Sequence, residues 1–130
     1  VRHYFALVHK DADSAFGVQF PDIGGVFSAA DDADEIVPNA IEALRHYAED
    51  RALPQPSDHA AIVARDDVRA ALAEGAYLIS VPLIDNDTEI VRANVTFERG
   101  MLRAIDTAAK ERGLTRAAFL ASAARREIET

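Results

Sequence analysis

The stretch that decides the fold is Arg92-Ala93-Asn94-Val95-Thr96-Phe97, in the last third of the chain. Polar and apolar residues alternate along it. In an extended strand, Arg92, Asn94 and Thr96 therefore point to one side and the three residues between them point to the other. The pattern predicts a strand with one polar, partly basic face and one apolar face.

Two helices are predicted after this strand. The first covers residues 98 to 112, with an apolar face, and it ends at Gly113, a residue suited to a helix C-terminus. Thr115 is positioned to cap the second helix, which runs from about residue 116 to residue 127. The apolar faces of the two helices comprise Leu102, Ile105, Ala108 and Ala109, then Phe119, Leu120, Ala123, Ala124 and Ile128.

A strand and two helices of roughly 40 residues cannot bury enough apolar surface alone, and a single strand leaves its backbone groups unpaired. The sequence therefore predicts a second copy, whose strand pairs antiparallel with the first. The two-stranded ribbon would place Arg92, Asn94 and Thr96 of both chains on one face. Such a ribbon fits the DNA major groove, where Arg recognises guanine, Asn recognises adenine, and Thr contacts a polar edge or the thymine methyl.

Thr115 and Arg116 stand at a predicted helix start, where free amides suit a DNA phosphate. A plain helix cap is the simpler interpretation of these two residues, with phosphate contact as an added role. For the polar row the alternative is a solvated strand face, but base reading is favoured because the helices that follow make sense only if the strand pairs with a second copy.

The first half of the chain predicts a meander of three strands and a helix. Residues 4 to 8 are apolar on both faces, which indicates a central strand. Residues 16 to 20 alternate, as expected of a hairpin partner. Residues 21 to 25 combine a proline with two glycines, which indicates a tight loop before a short strand at residues 26 to 30.

Carboxylates at Asp31, Asp32, Asp34 and Glu35 favour a helix that begins at about Glu35. Residues 53 to 57 end it, residues 58 to 74 are partly helical in pattern, and residues 77 to 84 predict a further strand. Pro82 indicates that this strand lies at an edge of the sheet or ends early.

Composition limits the protein to one ordinary domain or two small ones. It has 130 residues, of which 49% are hydrophobic and 28% are charged, and it has no cysteine. These values are typical of a folded, cytoplasmic protein without a membrane span, and they exclude disulfides and thiolate metal sites. The histidines have no metal-ligand spacing, and no cofactor is predicted.

The two parts of the chain differ in charge. Residues 1 to 87 hold 6 Lys or Arg and 16 Asp or Glu, a net charge of −10, whereas residues 88 to 130 hold 8 and 6, a net charge of +2. Only the second part is suited to bind a polyanion such as nucleic acid, although charge alone is explained more simply as ordinary solubility charge.

The residues carry a resemblance to known families. The stretches that carry it are, in the last part, Arg92 to Phe97, Ile105-Asp106 with Ala108-Ala109, and Gly113 to Leu120, and in the first part, Phe20 to Gly25, Asp34-Glu35 and Asn39-Ala40. With these stretches the last part resembles the ribbon-helix-helix repressors of bacteria, and the first part is similar to the HicB antitoxins.

This resemblance implies an α+β protein with two domains. Residues 1–85 would form a degenerate, partial RNase H-like domain, an antiparallel meander with a packed helix, which binds and blocks a HicA-like mRNA-cleaving toxin. Residues 86–130 would form a ribbon-helix-helix domain that dimerises, or forms a dimer of dimers, and binds operator DNA. The implied function is that of a type II antitoxin that represses its own operon and is not an enzyme.

The toxin-facing residues are predicted at the loop of Asp22, Ile23, Gly24 and Gly25. Two other functions remain open: a stand-alone transcription regulator without a toxin, and a metal-dependent nuclease. The nuclease would need converging carboxylates to hold divalent ions. Its candidates are Asp11, Asp13, Asp22, Asp31, Asp32 and Glu35, which turns and a helix start explain more simply.

Overall fold

A computed structural model describes all residues, 1 to 130, as an α+β protein with one four-stranded antiparallel sheet and five α-helices. The predicted α+β class is confirmed. The chain divides into two compact units, Val1–Asn86 and Asp87–Thr130. None of the helices combines the length and the apolar composition needed to cross a bilayer.

The sheet belongs to the first unit. Its strands are β1 (Arg2–Lys10), β2 (Phe16–Phe20), β3 (Ile23–Ala30) and β4 (Tyr77–Leu83), in the spatial order β3-β2-β1-β4. The predicted central position of β1 and the predicted edge position of the strand that contains Pro82 are both confirmed.

Both faces of β1 are buried, as its apolar sequence predicted. One face packs against α1 (Ile36–Ala48), which follows a 3-10 turn at Ala33–Glu35. The other face packs against α2 (His59–Val63) and α3 (Asp66–Ala73). The first core includes Tyr4, Ala6, Val8, Ile41 and Leu44, and the second comprises Leu7, Ile62, Val68 and Ala71.

The predicted loop at residues 21 to 25 is wrong in its extent. Phe20 pairs with Ile23 across a two-residue turn, and both side chains are buried, so β3 begins three residues earlier than predicted. Gly24 and Gly25 therefore lie in a strand. The pairing of β2 with β3 shifts register between Gln19 and Phe20. Gly25 has a φ of 95°, a backbone conformation that residues with a side chain rarely adopt.

The second unit contains α4 (Arg99–Glu111) and α5 (Arg116–Glu129), as predicted. Gly113, with a φ of 68°, ends the first helix, and the Leu114 amide returns to the Ala109 carbonyl at 2.8 Å. The predicted strand at residues 92 to 97 is not present in the single chain. A strand needs a neighbour for its backbone hydrogen bonds, and the chain supplies none there.

Candidate functional site

The predicted base-reading residues lie before α4 in a segment without regular structure. Arg92, Asn94 and Thr96 are exposed, as are all residues from 91 to 97. No hydrogen bond or ion pair within the chain holds these three side chains. They are therefore free to contact a ligand.

The apolar residues of the same segment face a groove of about 370 Å³ in the second unit. Val95 is 66% exposed and Phe97 is 38% exposed. No residue of α5 is buried, and only Ile105 and Ala109 are buried on α4. The unit thus leaves most of its apolar surface uncovered. The groove is lined by Ala93, Asn94, Val95, Phe97, Leu102, Arg116, Ala117 and Leu120.

Thr115 caps α5, as predicted: its hydroxyl oxygen accepts a hydrogen bond from the Ala118 amide at 3.1 Å. The first amides of any α-helix have no acceptor within the helix. Those of Arg116 and Ala117 are exposed at this end, so the geometry leaves donors available for an anion.

Arg116 has a partner that the sequence pattern did not reveal. Its Nε and Nη2 donate to the two carboxylate oxygens of Asp106, both at 2.8 Å. These hydrogen bonds, together with the charges, lower the pKa of the Asp106 carboxyl and raise that of Arg116. Since the two residues are ten positions apart on different helices, only the packing of α4 against α5 brings them together.

The four residues predicted to face the toxin do not share one environment in the structure. Ile23 is buried in the core, whereas Gly24 and Gly25 are exposed. Asp22 accepts two hydrogen bonds of 2.7 Å from Ser57, one from its amide and one from its hydroxyl. Asp22 therefore joins the β2–β3 turn to the segment before α2. Ser57 was missed because residues 53 to 57 predict only a chain reversal.

Five of the six acidic residues weighed for a nuclease lie on the surface. Asp11, Asp13, Asp31, Asp32 and Glu35 are all exposed. No group of three or more His, Asp or Glu side chains is placed to hold a metal ion.

Tyr4 is the buried titratable side chain of the first core. Its hydroxyl donates to the Pro54 carbonyl oxygen at 2.6 Å and accepts from Arg2 at 3.0 Å. Arg2 also pairs with Asp85 at 3.1 Å. Burial raises the pKa of Tyr4, although the nearby Arg2 opposes the shift. This network joins β1 to the segment after α1 and to the end of the first unit, so its role is structural.

Comparison with known proteins identifies the family. The family described as HicB-like antitoxin of bacterial toxin-antitoxin system matches residues 4–124. No curated protein matches the chain. Among solved structures, the antitoxin HicB of Burkholderia pseudomallei is 31% identical, with a TM-score of 0.56, over 95% of this chain and 96% of that one.

Two further structures are similar. The antitoxin HicB3 is 33% identical, with a TM-score of 0.52, over 98% of each chain. A chain of the HicA3 and HicB3 toxin-antitoxin complex is 30% identical, with a TM-score of 0.51, over 64% of this chain and 99% of that one. Since the family matches nearly the whole length, the chain belongs to the HicB-like antitoxins of bacterial toxin-antitoxin systems.

Proposed function

We propose that this antitoxin binds and neutralises a HicA-like, mRNA-cleaving toxin through its first unit and represses its own operon by binding operator DNA through its second unit. It acts by stoichiometric binding and not as an enzyme. The observation that carries the proposal is the family match over residues 4–124, which spans both units.

The toxin partner is supported by the similarity to a chain of a HicA3 and HicB3 complex. Its match covers 64% of this chain, about 83 residues, which is close to the size of the first unit, Val1–Asn86. Charge supports the same assignment. A protein that cleaves RNA needs a cationic surface to bind the phosphates. The net charge of −10 over residues 1 to 87 would attract such a surface and speed association.

The first unit is proposed to be a partial RNase H-like domain without catalysis. The meander of β1, β2 and β3 with α1 packed on it is the arrangement expected of that fold. The carboxylates weighed for a nuclease are mostly exposed, and no three of them are placed to hold a metal ion, which favours a binding role over hydrolysis.

The second unit is proposed to be a ribbon-helix-helix domain that is completed by a second copy. Residues 92 to 97 of two chains would pair as antiparallel strands and provide the missing backbone partners. Val95 and Phe97, with the groove beside them, would then be buried between the helices of both chains. The product is a homodimer, or a dimer of dimers.

DNA recognition follows from this pairing. Arg92, Asn94 and Thr96 of both chains would form one exposed face that reads base edges in the major groove. Thr115 and Arg116 would contact a phosphate through the first amides of α5 and the guanidinium.

Native mass measurement tests both activities in one experiment. The purified chain is measured alone, with operator DNA, and with the HicA-like toxin encoded beside it. We expect an even-numbered oligomer, a complex with DNA and a complex with toxin that abolishes RNA cleavage. A folded monomer that binds neither contradicts the proposal. DNA binding without any toxin binding favours a stand-alone regulator.

A further inference from the structure

One face of the sheet is only half covered. Leu7, Gln19 and Phe27 are directly opposite one another on three adjacent strands, so their side chains share a face. Leu7 is buried under α2 and α3. Gln19 and Phe27 are exposed. The buried cluster on this face, together with the partly buried side chains packed against it, contains residues of β1 and β4 and none of β2 or β3. The two helices therefore cover one half of the face and leave the other half open.

We call the uncovered part the open half-face. It consists of Gly17, Gln19, Phe27 and Ala29, on β2 and the edge strand β3. Phe27 is 70% exposed, more than any other large hydrophobic side chain of the first unit. Gly17 and Ala29 form a cross-strand pair, and a Cβ at Gly17 would have no atom within 4 Å. One aromatic side chain therefore projects from a shallow, open surface.

Phe27 also borders a groove of about 200 Å³ that continues the open half-face. Leu7 and Gln19 line it, and Arg65 and Asp67 close the side nearest α3. Arg65 is held by Asp67 through hydrogen bonds of 3.1 and 3.2 Å. The aromatic ring thus stands at the edge of a formed depression, which is the arrangement expected of an anchor for a protein partner.

One end of the open half-face carries an acidic rim, which we define as Asp11, Asp13, Asp31 and Asp32. Asp31 and Asp32 directly follow β3, and the β1–β2 turn lies at the same end, since Phe16 pairs with both Lys10 and Ala30. All four carboxylates are exposed. Lys10 is the cation of this turn, and its ammonium donates to the carbonyl oxygens of Asp11 and Ser14. The rim is therefore strongly negative.

We infer that the open half-face, with Phe27 as its anchor and the acidic rim beside it, is where the toxin docks. This inference rests on the proposed function and assigns a surface to it. The occupant is a small protein whose cationic RNA-binding surface meets the rim while an apolar patch covers Phe27. Aromatic anchors in such settings carry a large share of binding energy, and an acidic rim speeds encounter with a basic partner.

Charge favours the toxin over a second copy of the chain as the occupant. A symmetric contact places the same patch of both copies face to face. It would bring together two chains that each carry a net charge of −10 over residues 1 to 87. Like charges in an interface oppose association. A basic partner instead gains from the same arrangement.

Two substitutions test the surface with purified full-length chain and the HicA-like toxin encoded beside it. Phe27→Ala should weaken toxin affinity by at least about 30-fold, the loss typical of an interface anchor. Its control is Tyr77→Ala, which removes a 43% exposed aromatic from the other edge strand, β4, and should leave affinity unchanged. Ala29→Arg should also weaken toxin binding, because it adds bulk and positive charge to the open half-face. Its control is Ala70→Arg, at an exposed position of α3, which should leave toxin affinity unchanged.

The outcomes separate this inference from the proposed function. If the wild-type chain binds toxin and the Phe27→Ala and Ala29→Arg variants bind equally well while remaining folded, the toxin docks elsewhere and the inference is overturned. If these variants change only the oligomer mass, the open half-face is a contact between copies, which overturns it too. If the wild-type chain binds no toxin, the proposed function itself fails.

Discussion

Arg116 and Asp106 form a bidentate pair that ties the start of α5 to the middle of α4, with both N–O distances at 2.8 Å. The pair occupies the guanidinium that the proposed DNA complex would use on a phosphate. A planar guanidinium has five N–H donors, of which the pair takes two. Arg116 can therefore hold Asp106 and still present donors to DNA.

Arg116→Ala should reduce the salt dependence of operator binding. Each lost phosphate contact lowers the slope of log affinity against log salt concentration by about 1, so the change is about one for each chain in the complex. Fluorescence titration at several salt concentrations measures it, with the exposed Arg126→Ala as a matched loss of charge. If the Arg116 and Arg126 variants show the same slope of log affinity against log salt concentration, Arg116 contacts Asp106 but no DNA phosphate.

Arg92→Ala and Asn94→Ala should each weaken operator binding by about 1 to 3 kcal/mol, because each removes a contact to a base edge. The loss should be greater for the operator than for random DNA of equal length, because base contacts carry the sequence specificity. Arg99→Ala, at an exposed position of α4, is the control for charge. Equal losses on both DNAs would show that the polar row does not read bases.

Val95→Asp should prevent assembly. Val95 is 66% exposed in the single chain and would be buried in the proposed ribbon, where an unpaired carboxylate is costly. Sedimentation should report a smaller species at micromolar concentration and a loss of DNA binding. Thr107→Asp adds the same charge at an exposed position of α4 and should leave the mass unchanged. A Val95→Asp variant with the wild-type mass would exclude this strand from the contact.

Asp22→Ala should destabilise the first unit by about 1.5 to 3 kcal/mol, the range for a hydrogen bond to a charged group, since Ser57 loses its acceptor. Urea unfolding measures the change, and Asp13→Ala in the exposed β1–β2 turn is the control. If Asp22→Ala keeps wild-type stability but loses toxin affinity, the residue contacts the toxin as predicted from the sequence.

Tyr4 should make the fold sensitive to alkaline pH. Because burial raises its pKa above the usual value near 10, its stabilising contribution is complete below that value and is lost as pH rises through the folded-state pKa. Tyr4→Phe should lower the free energy of unfolding by about 1 kcal/mol at pH 7, by removing the bond to Pro54. Above pH 10 the wild-type chain should lose stability faster than the variant. If the free energies of unfolding of the wild-type chain and the Tyr4→Phe variant fall in parallel above pH 10, this role is contradicted.

The sequence predicted those elements whose burial follows a simple period. The alternation of Phe16, Val18 and Phe20 gave β2, and the apolar stripe around Ile41 and Leu44 gave α1. The start of β3 was missed because proline and two glycines are typical of a loop. Only the pairing of Phe20 with Ile23 places both glycines in a ladder.

Contacts between side chains that are distant along the chain could not be predicted from the sequence. Asp22 and Ser57 are 35 positions apart, and nothing local indicates that they meet. Phe27 did leave a signal: it lies out of phase with buried Val26 and Ala30, so a strand there must direct it to the opposite face. Whether that face is covered depends on how far α2 and α3 extend across the sheet, which their Ala-rich sequence does not determine.

The unpaired segment at residues 92 to 97 has a consequence for dosage. In the proposed dimer each polypeptide contributes half of the surface that touches the operator. While most copies are monomers, the concentration of the DNA-binding dimer therefore rises with the square of the total protein concentration. Dilution or degradation that halves the concentration of the chain would leave about a quarter of the dimeric repressor under mass action. Transcription of the operon would then rise more steeply than the protein concentration falls.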